Sequence, residues 1–149
     1  MESVQIKGVD STKRDTFAKL EAGARLVILE KLMTHGNQIA HSDMVIELNG
    51  EDSSSQIISR SVAKDNSEQV FYPRAVGNAK CKAHVQCDSI IMDKAKVTSI
   101  PQIDANDVDA AIIHEAAIGK IAGEQLIKLM TLGLTEAEAE EQIVNGFLR

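Results

Sequence analysis

Apolar and polar residues alternate along the middle of the chain with the period of two that marks β-strands. Met44, Ile46 and Leu48 alternate with polar residues, and Asn49-Gly50 follows as a turn signal. Further β-prone runs cover residues 56–63, 69–72, 85–92 and 95–103. Short strands with no helix between them predict either a β-sandwich or a β-solenoid. The residues alone leave both open, because no strict repeat of about 20 residues is visible.

The beginning of the chain carries a weaker pattern. Val4, Ile6 and Val9 predict a short strand. Residues 26–29 are compatible with another strand or with the start of a helix that runs through Met33. The pattern does not decide between these two interpretations.

Near the C-terminus the period changes to that of a helix. Leu126, Leu129 and Met130 follow a spacing of three and four residues, which predicts an apolar stripe on a helix over 124–132 that Gly133 ends. Thr135 and Glu138 have capping-box spacing and predict the start of a second helix.

We expect Gly146 to close this second helix. Its predicted buried face consists of Ala139, Ile143, Val144 and Phe147. The short turn between the two helices predicts an antiparallel pair.

Composition excludes several classes of protein. The chain of 149 residues is 44% hydrophobic and 26% charged, and no apolar run approaches the roughly 20 residues of a membrane span. With no secretory signal visible, we expect a cytoplasmic protein with no membrane association, whose two cysteines are reduced. A net charge of -6, one Tyr and no Trp argue against nucleic-acid binding.

The candidate chemistry lies where the strands give way to the helices. Thiol, imidazole and carboxylate groups are ligands for iron or zinc. The spacing of the two cysteines does not match a CxxC knuckle, and a buried cysteine is often a compact core residue. The candidates are Cys81, His84, Cys87, Asp88, His114 and Glu115.

Two stretches of sequence make the chain resemble a known family. HEAAIGKI, followed by GEQLIKLMTLGLTEAEAEEQIVNGFL, resembles the C-terminal end of the SufB/SufD family, the scaffold subunits of iron–sulfur cluster assembly. Residues 51–103 resemble the last turns of that family's right-handed β-helix. The resemblance implies a mostly β fold, with right-handed β-helix (β-solenoid) turns over residues 1–104 and a small α-helical C-terminal subdomain over residues 105–149.

The resemblance also implies a site for a transient iron–sulfur cluster. Cys87 in VQCDS and Glu115 in HEA match functional residues of the SufB paralogue, and His114 matches a functional histidine of the SufD paralogue. We therefore expect Cys87, His114 and Glu115 to bind metal, with Cys81 and His84 as the next candidates. Ile113 replaces a glutamate that is usual in SufB, whereas SufD lacks the equivalent of Glu115. This mixture suits a scaffold that pairs with itself.

The partners that the resemblance implies are proteins. The helical end is expected to dock a SufC-type ABC ATPase through residues such as Lys128 and Thr131. The chain has no GxxxxGK[ST] loop, so we expect no ATP hydrolysis and no enzyme activity of its own. A homodimer or a SufB/SufD-like heterodimer would pool cluster ligands, and a sulfur donor protein is a further possible partner. Residues 1–41 hold no counterpart of the family's sulfur-receiving cysteine.

Two other functions stay open at this stage. One is an interaction module of the same complex that has no cluster site of its own. The other is a β-rich, cupin-like metal-binding enzyme whose ligands are His35, His41 and His84.

Overall fold

The structure, a computed structural model, describes residues 11–149. The predicted strand at Val4, Ile6 and Val9 lies outside the described residues. Within them, strands come first and helices last. The strands are β1 (Ser11–Leu20), β2 (Arg25–Thr34), β3 (Ile39–Leu48), β4 (Ser53–Ala63), β5 (Glu68–Gly77), β6 (Cys81–Ile91), β7 (Lys96–Ser99), β8 (Gln102–Ala105) and β9 (Ala110–Gly119), and the helices are α1 (Gly123–Thr131) and α2 (Glu136–Leu148).

The strands form two parallel sheets. Sheet A has the order β1-β3-β5-β7, with β8 also pairing to β5, and sheet B has the order β2-β4-β6-β9. Because successive strands mostly alternate between the sheets, the chain winds as a β-solenoid of about four turns. The solenoid is therefore confirmed over the sandwich. Residues 26–29 belong to strand β2 and not to a helix.

The solenoid repeat is longer than the repeat of about 20 residues that the sequence lacks. Ser11 pairs with Ile39 and Arg25 pairs with Ser54, so equivalent positions are 28 or 29 residues apart. One turn contains a strand from each sheet and two corners. Because a corner can absorb one residue, the repeat is not strict in sequence.

The corners are stabilised by stacked polar side chains. The Asn78 Nδ2 donates to Asn49 Oδ1 at 2.7 Å, and Asn106 Nδ2 donates to Asn78 Oδ1 at 2.8 Å. Beside this ladder, a Cβ on Gly50 would lie 1.9 Å from the backbone nitrogen of Ala22. Only glycine fits there, which explains the Asn49-Gly50 turn in physical terms.

A second corner repeats one unusual backbone conformation. Gly36, Asp65 and Asp93 occupy equivalent positions and all have positive φ, at 59°, 59° and 55°. The backbone N–H of Gly36 donates to Asp65 Oδ2 at 2.7 Å, and that of Asp65 donates to Asp93 Oδ2 at 3.1 Å. Each aspartate thus fixes the turn before its own, since Asp tolerates the left-handed region better than most residues do.

The interior of the solenoid is apolar at most positions, and its last turn exposes an apolar residue. Ile46 and Ala75 are buried at equivalent positions of β3 and β5. Ile103 is the next residue in that series, yet it is 44% exposed. Within the described residues no later turn covers β8, so the last turn leaves its apolar side chains open.

The helices confirm most of the predicted end signals. Thr135 and Glu138 form the predicted capping box, and Gly133 follows α1 with φ of 95°. The prediction that Gly146 closes the second helix is wrong, since α2 continues to Leu148. Packing explains the difference, because Phe147 and Leu148 contact the apolar cluster formed by Val62, Met92 and Val144. Neither helix has the length and apolar character that crossing a membrane requires.

Strands continue past residue 104, where we expected the helical subdomain to begin. β8 ends at Ala105, and β9 covers Ala110–Gly119 as the last strand of sheet B. The helices begin at Gly123. His114 and Glu115 therefore lie on a solenoid strand and not in the helical segment. Of the predicted stripe on α1, Leu126 and Leu129 are half-buried and Met130 is exposed.

Candidate functional site

Cys87 lies inside the solenoid, near its C-terminal end. Strand β6 alternates between buried and more exposed residues, and Cys87 falls on the buried side with only 2% of its surface exposed. Its partners in register are Ser59 on β4 and Ala116 on β9. Its Sγ lies 4.0 Å from Ser89 Oγ. The thiol is therefore one strand away from the end of sheet B.

Burial raises the pKa of the Cys87 thiol above its usual value. The nearby Ser99 and Ser89 hydroxyls act in the opposite direction, and the negative charges of Asp88 and Glu30 raise the pKa further. The free thiol is thus protonated at neutral pH. A metal ion would have to displace this proton to form a thiolate ligand.

His114 faces the same interior from the neighbouring strand. On β9 it is the register partner of Val85, which is buried, and it is half-buried itself. Its Nε2 is buried and has no hydrogen-bond partner among the described residues. Desolvation, and next the charge of His84, lower the pKa of His114. The ring is consequently neutral at pH 7, which is the form that binds metals.

Glu115 lies on the opposite face of the sheet. Its side chain is 63% exposed, and its Oε2 is 3.2 Å from the Nε2 of His84. The alternation of a strand makes this separation from His114 unavoidable. Cys87 and His114 therefore form an interior pair, whereas His84 and Glu115 form a second pair on the outer face of sheet B.

The other candidates are not part of the interior pair. Cys81 is a buried free thiol on the same strand as Cys87, and six residues of strand put the two about 20 Å apart. His41 lies on sheet A, where its Nε2 is 2.9 Å from Asp43 Oδ1 and its ring contacts Tyr72. Among residues 11–149, no group of three or more His, Cys, Asp or Glu side chains is arranged to hold a metal ion.

Sequence reasoning missed one inward-facing carboxylate, that of Glu30. The hydroxyls of Ser42 and Ser59 donate to its two oxygens at 2.7 and 2.9 Å. Glu30 pairs in register with Ser59, which in turn pairs with Cys87. The alternation of β2 could have revealed it, because Glu30 falls in the series Leu26, Ile28 and Leu32.

The candidate residues lie beside an open edge of the fold. β9 is the last strand of sheet B, and among the described residues no strand pairs with its free side. Ile118 on this strand is 40% exposed. An unpaired, largely apolar edge of ten residues is a surface on which another strand can pair.

Comparison with known proteins gives a consistent result. A sequence profile described as "SUF system FeS cluster assembly, SufBD core domain" matches residues 1–147. The chain is also similar to an iron-sulfur cluster assembly SufBD family protein of Methanocaldococcus jannaschii, with 44% identity over 105 residues. A protein of Archaeoglobus fulgidus with the same description is 31% identical over 133 residues.

The chain is shorter than these relatives. The matched part is 70% of this chain and 33% of the M. jannaschii protein, and 88% of this chain and 36% of the A. fulgidus protein. In a relative from Methanothermobacter thermautotrophicus, 36% identical over 103 residues, the matched share is 25%. The chain thus spans about a quarter to a third of the length of the curated relatives that it matches.

Proposed function

The chain belongs to the SufBD family of iron–sulfur cluster assembly proteins, and from that membership we propose that it is a scaffold subunit on which a cluster is built and then released. One observation carries the proposal. The Cys87 thiol and the unpartnered Nε2 of His114 face the same interior at the open end of the solenoid. The cluster is the cargo of this site and not a resident cofactor.

The chemistry of the two residues suits a cluster that must leave again. A thiolate is the preferred ligand for iron in clusters, and an imidazole nitrogen completes a site less firmly than another thiolate does. His114 Nε2 is already desolvated and has no hydrogen-bond partner among the described residues. Binding iron therefore breaks no hydrogen bond, and it removes the free-energy cost of leaving this buried nitrogen unpaired. The protonated thiol of Cys87 keeps the site uncharged until iron arrives.

A second chain supplies the missing ligands in this proposal. A cluster takes about four protein ligands, and the interior pair offers two. The free edge of β9 and the exposed Ile103 leave the end of the solenoid open to a second copy or to a SufB/SufD-like paralogue. Glu115 lies on the outer side of the same edge strand. It would join the cluster only from the rim of a two-chain interface.

A SufC-type ABC ATPase is the proposed partner of the helical end. No residue of α1 is buried, although the helix is amphipathic. Ile127 and Leu132 are mostly exposed, and Lys128 and Thr131 lie between them. An exposed apolar surface of this kind marks an interaction site. We place the complex in the cytoplasm, where thiols stay reduced, with a sulfur donor protein as a further partner.

Anaerobic reconstitution with ferrous iron and sulfide tests the proposal. Cys87→Ser and His114→Ala should each reduce bound iron and acid-labile sulfide at least about tenfold, since either change leaves one ligand per chain. Glu115→Gln should have a smaller effect, because it removes a carboxylate from the rim. Absorption between 350 and 450 nm and mass-based oligomer analysis are the measurements.

Cys81→Ser is the matched control. Cys81 is equally buried and equally free, but it lies far from His114 along the strand. It should load iron and sulfide as the unchanged protein does. Loading that is lost with Cys81 and retained without Cys87 would contradict the proposed site.

A second function is favoured by the protonation of Cys87. A buried thiol with a raised pKa also fits a packed core residue, and the exposed α1 surface would then be the functional part. In that case the chain is an interaction module of the complex. It would bind the ATPase normally and remain colourless after reconstitution.

A further inference from the structure

The outer face of sheet B carries an exposed apolar strip. Val27 and Leu29 on β2 are each more than half exposed, as is Ile113 on β9. Ile58 on β4 is the register partner of Leu29 and links the strip toward the centre of the sheet. His84 and Gln86 of β6 lie between Ile58 and Ile113, so the strip is interrupted by one polar strand. Outward positions of a solvated sheet are normally polar, so exposed apolar residues on three of its four strands still indicate a surface that is covered by something else.

Positive charge lies on both sides of this strip. Arg25 and Lys82 point outward from β2 and β6 on either side of Ser54, and the three line up in register. Arg60 lies six residues beyond Ser54 on β4, about 20 Å along the strand. The strip therefore runs between two cationic borders.

These cations differ from Lys19 and Arg74 of sheet A. On sheet A, Lys19 is paired with Glu47 and Arg74 with Asp104. Arg25, Arg60 and Lys82 have no carboxylate partner among residues 11–149. Unpaired cations are notable on a chain whose net charge is -6. Two carboxylates face the same side of the sheet: that of Glu115 on β9 is 3.2 Å from His84, and that of Asp88 on β6, the register partner of Arg60, accepts a hydrogen bond from Gln86.

The same face already accepts one helix. Val62 is an outward residue of β4, yet it is fully buried because Val144, Phe147 and Leu148 of α2 pack over it. At the other end, a groove of about 580 Å³ is lined by residues that include Arg25, Lys82 and Ile113. A helix is about 10–12 Å across with its side chains, which fits between borders about 20 Å apart.

We propose that the outer face of sheet B binds an acidic amphipathic helix of a partner protein, which lies beside α2 with its apolar side on Val27, Leu29 and Ile113. Its carboxylates pair with Arg25 and Lys82 on one border and with Arg60 on the other. Charge complementarity selects an acidic helix, because a basic helix would place positive charges against these cations. This assignment does not depend on cluster binding at Cys87.

A labelled 18-residue helical peptide of leucine and glutamate with an apolar stripe tests the proposal. Fluorescence anisotropy with the full chain should show saturable binding that weakens as salt is raised from about 0.05 to 0.3 M. The double variant Arg25→Glu, Lys82→Glu should weaken binding at least about tenfold, as should Val27→Ser, Leu29→Ser. The matched control is Lys96→Glu on sheet A, also an exposed cation without a carboxylate partner among the described residues. It should bind as the unchanged chain does.

Three results would overturn the proposal. The first is an absence of binding, and the second is equal binding by a peptide with lysine in place of glutamate. The third is concentration-dependent dimerisation of the chain that the Val27→Ser, Leu29→Ser variant abolishes, because the face would then hold a second copy. Circular dichroism of each variant confirms that the solenoid is folded, so that a loss of binding reports on the surface.

Discussion

Cys87 and His114 face one interior from neighbouring strands, two register positions apart along β9. Glu115 follows His114 directly and faces the other side of the sheet. Each chain therefore holds a thiol and imidazole pair and not a three-residue site. The pair sits at the end of the solenoid, next to the free edge at which, in our proposal, a second chain completes the site.

We predict that His114→Leu raises the stability of the chain while it abolishes cluster loading. The variant removes a buried Nε2 that has no partner, which should add up to about 1 kcal/mol to the free energy of unfolding. Urea denaturation and iron analysis measure the two effects. His41→Leu is the control, since His41 keeps a hydrogen bond to Asp43 and should gain nothing. A less stable His114→Leu chain that still loads iron fully would contradict the prediction.

The stability of the metal-free chain should depend on pH through His114. Its pKa in the folded chain lies below the ordinary value of 6.5, because of desolvation and then the charge of His84. The unfolded chain thus takes up the proton at higher pH than the folded chain does. The associated stability is fully present above pH 6.5 and is lost as pH falls toward the lowered pKa.

A difference measurement isolates this effect from other titrating groups. The gap in unfolding free energy between His114→Leu and the unchanged chain should widen in favour of the variant below pH 6.5. Urea denaturation at closely spaced pH values measures the gap. A constant gap from pH 7.5 to pH 5 would mean that His114 titrates normally in the folded chain.

The alternation of apolar residues in β3, β4 and β6 was sufficient to predict these strands. The helix ends were readable where local chemistry determines them, as at Thr135 and Glu138. Gly146 does not end α2 as predicted, because its conformational preference is weak compared with the free energy gained by burying Phe147 and Leu148 after it. The solenoid repeat was missed because it is 28 or 29 residues long, longer than the one of about 20 that was sought, and because its corners differ by one residue.

The site was less predictable than the fold. His114 and Glu115 were grouped because both match functional residues of the family, but adjacent residues of a strand point to opposite faces. Recognising β9 as a strand would have separated them. Glu30 was missed although its place among inward apolar residues identifies it. The exposure of Ile103 follows from where the described solenoid ends, which no local pattern encodes.

We predict that point changes on α1 prevent ATPase docking without unfolding the chain. Leu132 is 79% exposed and Ile127 is mostly exposed, so a glutamate at either position disturbs no packed core. Truncating the chain at Lys120 would be less informative, since it would uncover Val62. A pull-down with the SufC-type ATPase measures binding. Ile39→Glu, at an exposed position on β3, is the control. Docking that survives both α1 changes would exclude this helix.

The last prediction compares two isoleucines at equivalent positions of the solenoid interior. Ile46 is fully buried, and Ile46→Ala should cost about 2–5 kcal/mol of unfolding free energy. Ile103 is 44% exposed, and Ile103→Ala should cost under about 1 kcal/mol in a single chain. In the proposal, the side chain of Ile103 is buried by the second chain.

Ile103→Lys should therefore leave the monomer folded but prevent pairing, because a second chain would have to bury its ammonium group. Light scattering under anaerobic reconstitution should then show a monomer, with iron and sulfide reduced at least about tenfold although Cys87 and His114 are intact. Ile100→Lys should have the same effect, since Ile100 is also exposed at this end and lies two residues before β8. Full cluster loading on an Ile103→Lys chain that stays monomeric would show that one chain suffices, and the additional ligands would then have to come from within it.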